Sequence, residues 1–271
     1  WTGDVPDNLP DGATLTDSVI TVTMDSDKNV TAVFEPGPNF GRDTETAVVD
    51  VVNPATGVTW MDRNLGASRA ATSSWDSEAY GDLYQWGRAA DGHQKRTSST
   101  RSTLSSSDQP GHGDFITTSN DPGDWRSPQN DSLWQGANGT NNPCPVGYRL
   151  PTEVEWDAER ESWSSNNRAG AYNSPLKLQV AGQRLRDDGT LWLVGTNGYY
   201  WSSTVDGTRA RRPRFYSTAS LMDSVQRVYG SSVRCRKDGV SLKIDIVGNG
   251  SVDPVGGTYE PGTTVELTAI P

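Results

Sequence analysis

The chain has 271 residues, enough for one large domain or for one domain with accessory segments. Only 33% of it is hydrophobic, but 10 Trp, 9 Tyr and 4 Phe supply large rings for a core, which argues against a disordered chain. Residues 1–36 carry a net charge of −6 and residues 239–271 carry −3, while the middle carries −1. This balance excludes a broad nucleic-acid-binding surface, and no apolar run reaches the roughly 20 residues of a membrane span.

The first 36 residues contain two segments of alternating polarity. Every second residue is apolar in 18–24 and again in 30–34, and the residues between them are polar. This period of two predicts a hairpin of two strands. Pro36-Gly37-Pro38 then interrupts the pattern and predicts a linker.

The middle of the chain predicts short strands, long loops and one helix. Residues 46–52 and 57–61 flank a turn and indicate a hairpin, whereas residues 97–143 are mostly polar loops with isolated tryptophans. Thr152-Glu153-Val154-Glu155 is a capping box, so a helix is expected to begin there and to end near Trp163. Further short strands are expected at 191–194, 199–203, 209–216 and 232–236.

The two ends resemble two halves of one module, the divergent internalin-B-type bacterial repeat. The front half of its pattern matches Gly248-Asn249-Gly250-Ser251-Val252-Asp253-Pro254, a later Gly-Thr-Tyr turn, and Leu267-Thr268-Ala269-Ile270-Pro271. The back half matches Trp1-Thr2-Gly3-Asp4-Val5 and the stretch from Val22 to Phe34. The order of the halves is therefore inverted along this chain.

Each half alone would expose unpaired strand edges. Three arrangements can pair them: the chain is one period of a tandem array, copies complete one another head to tail in a fibre, or the two halves of one chain pack together. The first two are favoured. The strand residues expected to mediate self-assembly are Val22, Val30, Ala32, Phe34, Val265, Leu267 and Ala269.

Residues 40–238 resemble the major paralogous domain family abbreviated FISUMP. The resemblance is carried by Thr-Trp-Met-Asp-Arg-Asn-Leu-Gly-Ala at 59–67, Cys-Pro-Val-Gly-Tyr-Arg-Leu-Pro-Thr-Glu at 144–153, and Tyr-Trp-Ser-Ser-Thr at 200–204. That family is similar to the formylglycine-generating enzymes, which implies an α+β, C-type-lectin-like domain with long loops and few helices. The expected organisation is a half-repeat at 1–36, the lectin-like domain at 37–238 and a small all-β half-repeat at 239–271.

The two cysteines permit one disulfide, and two buried free thiols are the alternative. The family resemblance implies that Cys144 and Cys235 form a structural bridge. Formylglycine-generating enzymes need a further reactive cysteine pair that binds copper, and no cysteine remains for it. His93 and His112 are expected to be solvated loop residues. Catalysis is therefore not expected, and no cofactor is indicated beyond a structural calcium that Asp-rich loops could hold.

The resemblance implies that the exposed binding face lies between the Tyr-Trp-Ser-Ser strand and the strand that contains Cys235. Arginines and aromatic residues are typical of interface hot spots, although the same arginines could form a solvated strand face or pair with local acids. The candidate ligand-binding residues are Trp201, Arg209, Arg211, Arg212, Arg214, Tyr216 and Arg227.

These features predict a non-catalytic binding or adhesion module in a repetitive extracellular or cell-surface protein. A protein or a glycan is the expected ligand, and head-to-tail self-association is the expected assembly. The alternative hypothesis is a structural subunit of an extracellular fibre, and a third is a degenerate modifying enzyme.

Overall fold

A computed structural model describes residues 2–3, 28–33, 41–242, 244, 246, 250–254, 256–259 and 264–270. The chain divides into two compact units. Unit 1 combines Trp1–Gly37 with Asp238–Pro271, and unit 2 is Pro38–Lys237. Each unit has its own sheets and is described separately below.

Unit 1 is built from strands at both ends of the chain. Its described strands are β1 (Thr2–Gly3), β2 (Lys28–Val33), β17 (Val240–Leu242), β18 (Ser251–Asp253), β19 (Gly257–Tyr259) and β20 (Thr264–Ile270). Four of them form one sheet in the order β1-β2-β20-β18, and β17 pairs with β19. Val265 and Leu267 are buried whereas Glu266 and Thr268 are exposed, as expected for a strand with one covered face.

The two half-repeats are joined by the pairing of β2 with β20. The strands run antiparallel over six residue pairs, including Val30 with Leu267 and Ala32 with Val265. The halves therefore pack together within one chain, which the sequence pattern left as the alternative to a tandem array or a fibre. Val22 and Phe34 lie outside the described residues, and Ala269 pairs with Lys28.

Unit 2 contains the remaining described elements, which are short. Its strands are β3 (Asp50–Asn53), β4 (Val58–Met61), β5 (Tyr84–Gln85), β6 (Thr100–Arg101), β7 (Phe115–Ile116), β8 (Tyr148–Arg149), β9 (Gln183–Arg184), β10 (Leu191–Trp192), β11 (Gly198–Tyr199), β12 (Val205–Asp206), β13 (Arg209–Phe215), β14 (Ser220–Gln226), β15 (Gly230–Ser231) and β16 (Arg236–Lys237). The helices are a 3-10 turn (Ser77–Ala79), α1 (Glu153–Glu161) and α2 (Arg168–Asn173).

These strands form several small sheets. Three sheets have four strands each: β10-β9-β15-β5, β3-β4-β16-β8, and β11-β13-β12 with β14 added to β13. β6 and β7 form a parallel pair. The predicted α+β, C-type-lectin-like fold is therefore wrong, because the described chain is mostly strands in small sheets and only 8% of it is helical.

Helix α1 begins where the sequence predicted. The Thr152 hydroxyl accepts a hydrogen bond from the Glu155 amide at 3.3 Å, and the Glu155 carboxylate accepts one from the Thr152 amide at 2.7 Å. This reciprocal capping satisfies two amides that the first helical turn leaves unpaired. Trp156 is buried within α1, whereas the helix ends at Glu161 and the buried Trp163 follows it, so the helix is two residues shorter than the expected end near Trp163.

Helix α2 is a feature that the sequence analysis missed. The Asn167 side chain accepts hydrogen bonds from the amides of Ala169 and Gly170, at 2.9 and 3.2 Å, and so caps the helix. A Cβ atom at Gly170 would lie 1.8 Å from the carbonyl oxygen of Ser165, so only glycine fits this close approach. The run of Ser and Asn at 164–167 indicated a loop, but it also contains the helix cap.

Six of the tryptophans in unit 2 are almost completely buried. They are Trp60, Trp86, Trp125, Trp134, Trp156 and Trp201. Four of these rings pack in two pairs, with centroids 5.0 Å apart for Trp60 and Trp156 and 5.6 Å apart for Trp86 and Trp134. The core of unit 2 is therefore assembled from large rings, which allows short strands and irregular loops to share a dry interior.

Candidate functional site

The predicted disulfide is present. Cys144 and Cys235 are bonded and fully buried, and their Cα atoms are 5.8 Å apart. They join the loop ahead of β8 to the loop ahead of β16. The bridge excludes the alternative of two free thiols.

The predicted binding face maps mainly to β13, which pairs with β14 over seven residues. Successive side chains of a strand point to opposite faces. Arg209 and Arg211 therefore lie on one face of β13, whereas Arg212 and Arg214 lie on the other. The structure does not bring these four arginines together on one surface.

Trp201, Arg212 and Arg227 are buried, so their assignment to an exposed face is wrong. Trp201 has no exposed surface, and its indole N–H donates to the carbonyl of Tyr84 at 2.7 Å. An indole bonded in this way closes the core and leaves no surface for a ligand. In a loop-rich chain, large aromatic side chains are shielded from water mainly by burial in the core.

Arg212 lies among aromatic rings rather than at the surface. Its guanidinium carbon is 4.5 Å from the ring centroid of Tyr199 and 5.5 Å from that of Trp201. It donates to the Ser231 hydroxyl at 2.8 Å and lies 3.5 Å from the Asp223 carboxylate. Burial lowers the pKa of Arg212. Ring faces and one carboxylate thus compensate a cation that would otherwise be costly to bury.

Arg227 is enclosed in a similar way. Its guanidinium carbon lies 4.6 Å from the ring centroid of Trp86. Its Nη2 donates to the Asp131 carboxylate at 2.7 Å and to the carbonyl of Gly207 at 3.1 Å. Asp124 lies 3.8 Å from Nη1. Arg227 therefore links the 124–131 loop to the turn between β12 and β13.

The other candidates have different environments. Arg211 is partly exposed but donates to the Glu153 carboxylate at 2.5 and 2.7 Å, which raises the pKa of Arg211 and ties β13 to the first turn of α1. Arg214 lies 5.2 Å from the ring centroid of Tyr216, and both are half-buried. Arg209 is exposed. Arg209, Arg211 and the Arg214–Tyr216 pair therefore keep some exposed surface, and Arg211 is engaged by Glu153.

His93 is not a solvated loop residue, contrary to the sequence analysis. It has no exposed surface, its Nε2 accepts the Gln85 amide at 3.0 Å, and its Nδ1 lies 2.7 Å from the Asp91 carboxylate. Burial, reinforced by the nearby Arg88 charge, lowers the pKa of His93 to about 4. An Nε2 that accepts a backbone N–H carries no proton, so the neutral ring donates from Nδ1 to Asp91. Both ring nitrogens of His93 hold the 85–93 turn.

His112 is half-buried, and its Nδ1 accepts the Asp114 amide at 3.2 Å. Among the residues that the structure describes, no group of three or more His, Cys, Asp or Glu side chains is placed to hold a metal ion. None of the helices in that part of the chain has the length and apolar character needed to cross a membrane.

An exposed apolar surface, not predicted from the sequence, lies on unit 2. We call it the Trp75–Val194 surface and define it by Trp75, Leu191, Trp192, Leu193 and Val194. Trp75 is 55% exposed and Trp192 is 49% exposed. The signal in the sequence was a run of four apolar residues at 191–194, which was interpreted only as a short strand.

One family comparison gives a match. Residues 240–271, which include β17 to β20, are similar to the divergent InlB B-repeat domain. No curated protein and no solved structure matches the chain at a significant level. Residues 240–271 are thus similar to a bacterial repeat, which agrees with the family resemblance of their motifs.

Proposed function

We propose that this chain is a non-catalytic binding or adhesion module of a repetitive extracellular protein. The observation that carries the proposal is the exposed Trp75–Val194 surface on a disulfide-bonded body. Soluble domains seldom expose two tryptophans and three aliphatic residues close together unless they meet a partner there.

Two further features support this setting. A disulfide that joins two buried cysteines is typical of proteins that fold in an oxidising compartment. The similarity of residues 240–271 to a bacterial repeat domain supports a repetitive parent protein. The motifs shared with the FISUMP family remain a hypothesis about the ancestry of unit 2, without its lectin-like fold.

A binding screen tests this proposal. The intact chain would be applied to arrayed glycans and extracellular proteins, beside a reduced and unfolded sample of the same chain. We expect saturable binding by the folded chain only. Absence of saturable binding to every arrayed glycan and protein would contradict an adhesive role.

The same screen separates the two candidate surfaces. Arg209→Gln with Arg214→Gln alters the accessible part of the predicted arginine face, and Trp75→Ser with Trp192→Ser alters the apolar surface. Because all four side chains are at least partly exposed, the variants are expected to fold. Binding that falls only with the tryptophan variant assigns the ligand to the Trp75–Val194 surface.

A second candidate function, a fibre subunit, is favoured by the ladder between β2 and β20. The two strands come from opposite ends of the chain, so the six residue pairs that close one chain can also join two copies. Exchange of identical elements between copies is a low-cost route to assembly. In a fibre, β20 of each copy would pair with β2 of the next.

An engineered cross-link distinguishes the closed chain from the fibre. The register places Thr31 opposite Glu266, so Thr31→Cys with Glu266→Cys should oxidise across the ladder. A closed chain gives cross-linked monomers at every concentration. A fibre gives covalent multimers whose size grows with concentration.

A further inference from the structure

Specific backbone contacts hold the exposed residues of the Trp75–Val194 surface in place. β10 ends at Trp192, Leu193 and Val194 follow it in a turn, and all four of these apolar residues are exposed. Leu193 has a φ of 55°, a left-handed conformation that a bulky L residue rarely adopts. Its carbonyl accepts the amides of Thr196 and Asn197, each at 3.1 Å, which fixes the turn. Unusual backbone held in this way is often found at sites of function.

Trp75 belongs to the same surface. A Cβ atom at Gly195, the residue after Val194, would lie 3.8 Å from Cδ1 of Trp75 and 3.8 Å from the hydroxyl of Tyr80. The Gly195 amide donates to the carbonyl of Val180 at 2.8 Å. The turn that presents Leu193 and Val194 therefore lies directly beside the exposed indole of Trp75.

The surface carries a cation that no acid among the described residues pairs with. The guanidinium carbon of Arg168 lies 4.6 Å from the ring centroid of Trp75. Within the described part of the chain, Arg168 has no ion-pair partner. The nearby Asp76 is engaged by Arg69 at 2.9 Å. An incoming carboxylate would therefore find Arg168 available and already positioned over an aromatic ring.

The backbone at this surface can accept an extended partner. β10 is the edge strand of its sheet and pairs with β9 on one side only, as far as the described residues show. An exposed edge strand offers main-chain hydrogen bonds to an added strand, while its side chains select the sequence. Aliphatic residues beside β10 favour a polypeptide over a sugar, since sugars are recognised by aromatic rings and polar groups.

We infer that the Trp75–Val194 surface docks an extended acidic and apolar polypeptide segment of a partner protein. The segment adds to the edge of β10, places its apolar side chains on Trp75, Trp192 and the neighbouring aliphatic residues, and presents a carboxylate to Arg168. This inference rests on the proposed binding function and specifies its surface and the chemistry of its partner.

Selection of displayed peptides on the full chain tests the inference. A random 12-residue library is the probe, and the most enriched peptide is then synthesised and titrated. We expect acidic peptides with alternating apolar residues. Trp192→Ser should weaken the titrated peptide about 30-fold, as for an interface hot spot. Arg168→Gln should weaken it about tenfold and flatten its dependence on salt.

Matched variants control for charge, exposure and folding. Arg209→Gln removes the same charge from the exposed first residue of β13, and Val154→Ser alters a residue of α1 that is 77% exposed. Both should bind the peptide as the unmodified chain does. Arg168→Lys should recover part of the affinity, and all variants should keep the thermal midpoint of the unmodified chain.

Several outcomes would overturn the inference. Peptides that bind equally to Arg168→Gln, or enriched peptides that are basic, remove the proposed chemistry. Oligosaccharide binding lost in Trp75→Ser assigns the surface to glycans, and concentration-dependent association lost in Arg168→Gln assigns it to a second copy of the chain. If binding falls instead with Arg209→Gln, the adhesive function stands and only this surface assignment fails.

Discussion

Different contacts stabilise each of the two units of this chain. Unit 2 has a disulfide between residues 91 positions apart and a core of buried tryptophans. Unit 1 depends on strand pairing between Lys28–Val33 and Thr264–Ile270, near opposite ends of the chain. The described part of unit 1 contains no disulfide.

The two units therefore differ in how strongly the stability of each depends on a single set of contacts. In unit 2 a covalent link and many long-range contacts share the stabilisation, so one lost contact leaves the others in place. In unit 1 the central ladder joins segments that are distant in sequence, and closing such a long loop costs entropy that the ladder and its buried face must offset.

The largest expected effect tests the covalent part of this comparison. Replacing Cys144 and Cys235 together with Ala should reduce the free energy of unfolding of unit 2 by about 4–5 kcal/mol, the loop-entropy value for a link of this length. Urea unfolding followed by tryptophan fluorescence measures it, since nine of the ten tryptophans lie in unit 2.

Hydrogen exchange at Val265 and Leu267 is the control for that experiment, and it should not change. An unchanged urea midpoint for the double variant would show that packing alone holds unit 2.

The second effect tests the aromatic part. Trp201→Ala should destabilise unit 2 by about 3–5 kcal/mol, because it leaves a cavity and removes the bond to the carbonyl of Tyr84. Arg209→Ala, at the exposed first residue of β13, should change the free energy of unfolding by less than about 0.5 kcal/mol. Equal small effects would place Trp201 at the surface, as the sequence analysis did.

The third effect is a dependence on pH that only unit 2 can show through histidine, because unit 1 contains none. The pKa of His93 is about 4 in the folded chain and about 6.5 when unfolded. As pH falls from 6.5 to 4, the unfolded state takes up this proton first, so stability falls. The expected loss is about 3 kcal/mol, and it is absent above pH 6.5.

Urea titrations at several pH values measure this slope, which His93→Gln should remove. His112→Gln is the matched control, and most of the slope should persist in it because His112 is partly exposed. A slope that disappears with His112→Gln would contradict the assignment to His93.

The smallest effect concerns unit 1. Leu267→Ala should destabilise it by about 2–3 kcal/mol, because Leu267 is buried on the covered face of β20. Faster hydrogen exchange along β2 and β20 measures the loss, while unit 2 should be unaffected. Glu266→Ala, at the exposed neighbour, is the control. Equal effects of both changes would mean that β20 has no covered face.

Local rules predicted local structure well. The capping box at Thr152 and Glu155 needs only residues three positions apart, and it marked the start of α1 correctly. The segments 46–52 and 57–61 on either side of a turn predicted a hairpin, and β3 pairs with β4 there. These signals hold because the contacts that create them are close in sequence.

Burial by residues that are distant in the sequence could not be predicted from local patterns. Arg212 and Arg227 look like surface residues in a sequence, but aromatic rings from distant segments enclose them. His93 is buried because Asp91 and the Gln85 amide occupy both ring nitrogens. The pairing of β2 with β20 likewise depends on which of several equally complementary arrangements forms, and the pattern of residues is the same in each.

The indole bonds of unit 2 have a consequence for how its loops can change. Trp86, Trp125, Trp134, Trp156 and Trp201 each donate from the ring nitrogen to a backbone carbonyl of another segment, at 2.7–3.1 Å. Every residue has a backbone carbonyl. Each of these hydrogen bonds therefore does not itself require a particular side chain at the acceptor position. Exposed residues in the intervening segments can therefore be exchanged while these anchors and the other buried residues stay, which suits unit 2 to the grafting of new surface loops.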